Sequence, residues 1–337
     1  MNLASLSRRR FLTGTSLAAL GALTACNASS STAPTPTPSA ASGFPATVTH
    51  KFGTTEIPTA PQRIVSVGLT EQDALLALGQ RPVAVTEWYG KQPYAIWPWA
   101  KAALGDLKPE VLMAPDGFPF ENISALQPDL IIGTNSGMNK SDFDKMAKLA
   151  PTIPGSGKYK SDWFEPWPVQ TQQIGIAVGK QDEAKALIDT VKQKFTDAQA
   201  AHPEFVGKKA IFLQAPYYEG NAIAYQNGLS TDFLTDLGFT IPKEIDAYAS
   251  QDAQAYIPVE KLDVLDAADV LIWATEDDKA KAELEKNKLF GQLRAVREGR
   301  SLYTGGELAG AIYFSTVLSL PYVVDQLVPQ LAEALAA

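Results

Sequence analysis

Cysteine is almost missing from this chain: Cys26 is the single one among 337 residues, and there are two histidines. One thiol cannot form an intrachain disulfide, and no cysteine cluster can hold zinc. His50 and His202 have no His, Asp or Glu partners at metal-ligating spacing. Positive charge is the minority, with 29 Lys and Arg against 37 Asp and Glu, a net charge of −8. That balance excludes a nucleic-acid surface built on a basic stripe, and simple adhesion to anionic lipid headgroups. Catalytic signatures are lacking too. There is no Gly-x-Ser-x-Gly elbow, and no Gly-Lys pair is followed by Ser or Thr as in a P-loop. Neither histidine follows a strand end, so a serine nucleophile would have no base. The expectation is a protein that is not an enzyme.

The N-terminus has the form of an export signal. Arg8-Arg9-Arg10 precedes Phe11–Leu23, a mostly apolar stretch without charge. A basic region followed by a short apolar one is a secretory signal. The stretch is shorter than the roughly 20 apolar residues that span a bilayer. Ser7-Arg8-Arg9-Arg10-Phe11-Leu12 resembles the twin-arginine signature. Leu23-Thr24-Ala25-Cys26 resembles a bacterial lipobox, in which the cysteine is lipidated and becomes the first mature residue. Residues 1–25 contribute three arginines and no acid, so the mature chain is more acidic still. Residues 27–46 are Ser-, Thr-, Ala- and Pro-rich and uncharged, a composition that cannot bury a core. This predicts a signal over 1–25 and a tether over 26–46.

Strands and helices alternate in the remainder. Arg63–Val67 reads as a strand, Thr70 as the N-cap of a helix over 71–78, and Val83–Val85 as the next strand. Leu130–Gly133, Ala210–Leu213, Val270–Trp273 and Ser301–Tyr303 are further apolar strands. Strands that are apolar throughout and separated by helices predict α/β architecture with mainly parallel sheets covered on both faces. Residues 163–201 read as a long helical stretch, with Gly175 and Gly179 as its breakers after Pro168. A weak repeat relates 120–132 to 259–272: in each, a Glu opens a short helix, an Asp ends the turn, and an apolar strand follows. Two similar lobes, 47–162 and 202–337, joined by one long helix over 163–201, are the simplest arrangement.

Pro61-Gln62-Arg63-Ile64-Val65-Ser66 with Thr70-Glu71 and Leu78-Gly79, then 121–132, then Ile174-Gly175 with Gly179, are similar in order and spacing to the cluster-type, single-helix-hinge substrate-binding proteins of ABC importers. The branch is the one that carries ferric siderophores, haem or vitamin B12. Glu87-Trp88-Tyr89-Gly90 resembles its actinobacterial ferric-siderophore subgroup. The resemblance implies a monomeric lipoprotein on the extracytoplasmic face of the bacterial membrane. It would capture a ferric siderophore, or haem as the alternative, without a cofactor of its own, and deliver it to an ABC permease dimer. It also implies that Glu121 and Glu260 dock into arginine pockets on that permease, and that Cys26 carries the lipid.

Ligands of α/β sheets collect at the carboxyl ends of strands. The side chains that leave those ends are Thr70, Trp88 and Tyr89, then Lys158, Lys160 and Trp163 before the helical stretch, then Tyr217, Tyr218, Tyr303 and Tyr313. Trp97, Trp99 and Phe118 are expected in core or lobe surface instead. Flat rings with one polar edge suit a bulky, oxygen-rich, partly apolar ligand. Lys158 and Lys160 are the only cations that this reading places near the cleft, so a neutral or weakly charged complex, such as a hydroxamate or mixed-ligand siderophore, fits better than a trianionic catecholate.

Overall fold

The computed structural model describes residues 43–159, 163–250 and 254–336, all within one compact unit. The signal, Cys26, most of the tether, and Lys160 lie outside the described residues. The chain is already in a strand at Ala46, the last residue assigned to the tether.

The first lobe opens with a hairpin, β1 (Ala46–His50) and β2 (Gly53–Ile57). Then follow β3 (Ile64–Ser66), α1 (Glu71–Ala77), β4 (Ala84–Thr86), α2 (Lys101–Leu104), β5 (Glu110–Leu112), α3 (Phe120–Ala125), β6 (Leu130–Gly133), α4 (Lys140–Met146) and β7 (Thr152–Pro154). Its five-stranded sheet runs β5-β4-β3-β6-β7, with every pair parallel. The order reverses between β3 and β6, and a crevice opens at such a switch point.

The connection to the second lobe is helical but not continuous. It consists of α5 (Trp167–Ala177) and α6 (Gln181–Ala201). The break falls at Gly179, which takes a φ of +68° that a side chain would disfavour. Helix α5 packs on α1 and β1, and α6 continues toward the second lobe with Ala184, Ile188, Val191 and Phe195 on its buried face.

The second lobe holds β8 (Ala210–Tyr218), β9 (Asn221–Tyr225), α7 (Asp232–Thr235), β10 (Gln254–Pro258), β11 (Val270–Ala274), α8 (Asp278–Glu285), α9 (Arg294–Arg297) and β12 (Ser301–Tyr303). Helices α10 (Gly305–Phe314) and α11 (Ser319–Ala336) close the chain, and α11 packs against α6. The sheet order is β10-β9-β8-β11-β12. Strands β8, β11 and β12 are parallel, whereas β9 and β10 are antiparallel additions.

The weak repeat has a structural counterpart. Asp129, just before β6, accepts hydrogen bonds from the backbone N–H groups of Gln62 and Arg63, both 2.7 Å. Asp269, just before β11, accepts one from Lys209 N–H at 2.9 Å. In each lobe an aspartate thereby fastens the start of one central strand to the start of its parallel neighbour. Side-chain alternation then sorts the core. Leu130 and Ile132 on β6, and Val270, Ile272 and Ala274 on β11, face a shared central core. Ile131 faces the outer core of the first lobe, and Leu271 and Trp273 that of the second. Burial on both faces explains why these strands carry no polar residue.

Candidate functional site

A cavity of about 620 Å³ lies where the two lobes and the helical connection meet. Trp88 enters it from the loop after β4. The segment leading into α5 supplies Trp163, Phe164 and Glu165. Phe212 on β8 and Tyr225 on β9 come from the second sheet, and Tyr313 and Phe314 from the last turn of α10. Trp88 is the meeting point of the rings: its centroid lies 5.6 Å from Phe164 and 5.3 Å from Phe314. On the opposite wall Phe212 stacks on Tyr225 at 5.1 Å, with Tyr313 5.8 Å away. Trp163 and Phe164 remain 44% and 38% exposed at the mouth. Large apolar rings left open around a cleft mark a binding surface.

Tyr89 stands behind this wall, edge-on to Trp88 at 4.9 Å and 6.5 Å from Tyr313. Its hydroxyl is buried with no hydrogen-bond partner among the described residues. Burial, then the charge of Glu276, raises its pKa. Tyr313 is raised by burial first, then by Tyr225, to which it is hydrogen-bonded. Both phenols therefore stay protonated and present O–H groups rather than phenolates.

Thr70 is buried and does not line the cavity, yet it supports the wall. Its hydroxyl accepts from Asn135 Nδ2 at 3.0 Å, and Asn135 Oδ1 accepts from the backbone N–H of Phe164 at 3.0 Å. Thr70 makes no side-chain cap on α1. The neighbouring Glu71 carboxylate takes the N–H groups of Thr70 (3.0 Å) and Asn135 (2.6 Å) instead. Glu71 is fully buried, and that burial raises its pKa.

The other expected site residues lie elsewhere. Lys158 is exposed on the loop after β7, outside the cavity lining. Tyr217 packs with the outer core of the second lobe, 6.3 Å from the Trp273 ring. Tyr303 joins the same cluster, with the Lys281 ammonium 4.5 Å from its ring. Tyr218 is 54% exposed at the end of β8. Trp97 is buried, and Trp99 stacks on it at 5.1 Å, next to rather than in the cavity. Glu121 and Glu260 are both exposed, in the first turns of α3 and of the 3-10 helix Val259–Ala267. Among the described residues no group of three His, Cys, Asp or Glu side chains is placed to hold a metal ion.

Sequence reasoning missed Phe212, Trp167, Glu165 and Asp232, which all line the cavity. Alternation along β8 carries a signal for the first. Ile211, Leu213, Ala215 and Tyr217 share one face and pack outward, leaving Phe212 on the other.

The comparisons with known proteins agree with this architecture. A Bacillus subtilis protein named "Probable siderophore-binding lipoprotein YfiY" is 28% identical over 299 residues, covering 85% of this chain and 87% of that one. The Fe(3+)-citrate-binding protein YfmC of the same organism is 26% identical over 249 residues, 74% of each chain. A periplasmic solute binding protein of Mycobacterium smegmatis is 45% identical in structure-based alignment, with a TM-score of 0.80, covering 86% of this chain and 98% of that one. PiaA of Streptococcus pneumoniae in complex with ferrichrome is 26% identical with a TM-score of 0.71, covering 86% and 99%. Residues 64–308 match the periplasmic binding protein family, and with its two α/β lobes and the cavity between them this chain belongs to that family.

Proposed function

We propose that this chain is an extracytoplasmic binding lipoprotein that captures a ferric siderophore and delivers it to an ABC permease. The observation that carries the reading is the cavity between the lobes, walled by Trp88, Trp163, Phe164, Phe212, Tyr313 and Phe314. Rings of this kind grip the organic shell of a bulky chelate, and protonated phenols donate to its oxygens. The named ligands of the relatives, a siderophore, ferric citrate and ferrichrome, belong to this class of cargo. Iron travels here as a ready-made complex, so the protein needs no metal ligands of its own. Trp88, Trp163 and Tyr313 are the ligand-facing residues in this reading, with Tyr89 packed behind Trp88 as support. Glu121 and Glu260 are the permease contacts, and Cys26 is the lipid anchor of a monomer.

Tryptophan fluorescence tests this. Saturable quenching by ferric siderophores, with the chelate recovered unchanged, supports the reading. A flat titration across hydroxamate, catecholate and citrate complexes, or the appearance of hydrolysis products, overturns it.

A further inference from the structure

The cleft is acidic. None of the described residues that line it is Lys or Arg, while Glu165 and Asp232 both are part of the lining. Glu165 is only 8% exposed. Its Oε1 accepts the Gly157 N–H at 3.2 Å, but Oε2 is buried with no hydrogen-bond partner among the described residues. A carboxylate oxygen withdrawn from water without a donor is unfavourable, and a cation or N–H donor brought beside it relieves that. Asp232 stands on the rim of the cavity, where Asp236 adds a second negative charge that Lys192 partly offsets. Glu276, after β11, adds negative charge that bears on the phenols of Tyr89 and Tyr313.

We infer that the complex taken by this cleft is a ferric siderophore of net positive charge, with a neutral tris-hydroxamate core and a pendent protonated amine, and that Glu165 is the specificity-determining residue that receives the amine. Three hydroxamates balance the charge of ferric iron, so the amine alone sets the net charge. A ferric catecholate or citrate complex is anionic and would meet the Glu165 and Asp232 carboxylates, with no Lys or Arg among the described residues that line the cavity. The inference rests on the siderophore reading above and narrows it to one charge class.

The test uses three probes: a linear ferric tris-hydroxamate with a terminal primary amine, the same chelate N-acetylated, and ferric citrate. Binding to the full mature chain is followed by fluorescence. The amine form is expected to bind about tenfold tighter than the acetylated form, the usual scale of one charge-assisted hydrogen bond. Ferric citrate is expected to bind weakest. Glu165→Gln keeps the acceptor for Gly157 and removes the charge, and should cut the preference for the amine to about threefold or less. Asp232→Asn, at the exposed rim, should reduce it more modestly and covers the case in which the buried variant does not fold. Equal binding of the amine and acetylated forms, or tighter binding of ferric citrate, overturns this inference and leaves the siderophore reading standing. No binding of any probe overturns both.

Discussion

The carboxylate of Asp73 on α1 accepts a 2.5 Å hydrogen bond from the hydroxyl of Thr316, which lies 243 residues away in the turn between α10 and α11. The same oxygen, Oδ2, accepts from Trp99 Nε1 at 2.8 Å. One buried acid thus ties the first lobe to the C-terminal helices and holds the indole that stacks on Trp97. No cation pairs with Asp73 among the described residues.

Burial raises the Asp73 pKa from 3.8 to about 6, against the lowering effect of its two donors. The folded protein therefore binds this proton more tightly than the unfolded chain does. Between those two values the native state holds more protons, so the contribution of Asp73 to stability falls as pH rises through the window, by about 3 kcal/mol in all. Asp73→Asn keeps an acceptor for Trp99 and Thr316 and removes the titration. Urea denaturation at pH 4 and pH 7 should show the variant gaining on the wild type at the higher pH. A difference between the two proteins that is the same at both pH values would contradict the assignment.

Gly310 on α10 faces the Trp97 ring. A Cβ built there comes within 2.7 Å of Cζ3 and 2.8 Å of Cη2. Trp97 is 5% exposed and held by Trp99, Tyr89 and Phe314, so it cannot swing aside. Gly310→Ala should destabilise the fold by about 1–3 kcal/mol through overpacking. An unchanged denaturation midpoint would show that the ring has room to move.

The strand–helix alternation, both lobes and the repeat around Asp129 and Asp269 were legible in the sequence because apolar runs and turn signals are local. The same is true of Trp88, which leaves a short strand straight into a loop. The faces of the second sheet were less legible. Tyr217 and Tyr303 lie within β8 and β12, whereas Trp88 lies after β4, and strand parity turns both tyrosines to the outer core. Thr70 has the local look of a cap, yet Glu71 and Asn135 redirect it, and that contact spans 65 residues. Glu165 carries no signal at all: its role depends on a buried oxygen without a donor, which only three-dimensional packing creates.

Trp88 packs against two other rings of the cavity lining, Phe164 and Phe314. Trp88→Ala should weaken ferric-siderophore binding by about five- to tenfold, the scale of a lost aromatic pair with some lost area. Tyr218→Ala is the control, since that ring is 54% exposed at the far end of β8. Isothermal titration of both variants checks the pair. Equal loss in both, or loss only in the control, would move the site away from the cavity.

Glu121 and Glu260 occupy matching places in the two lobes, each in the first turn of a short helix that leads into a central parallel strand. Both are exposed, and neither lines the cavity between the lobes. Glu121 borders a shallow groove lined by Phe120, Ser124, Ala125, Lys145 and Leu149. An arginine on each permease subunit would pair with one glutamate in bidentate geometry, the strong form of that contact. Two modest contacts on one rigid body reinforce each other, because the first raises the effective concentration for the second. Removing either glutamate should lower uptake in cells, and Glu121→Ala with Glu260→Ala together should nearly abolish it. Affinity of the isolated protein for its ligand should stay within about twofold, since an exposed charge outside the cavity has little bearing on it. Wild-type transport by the double variant would remove these residues from docking. A collapse of ligand affinity would place them in binding instead.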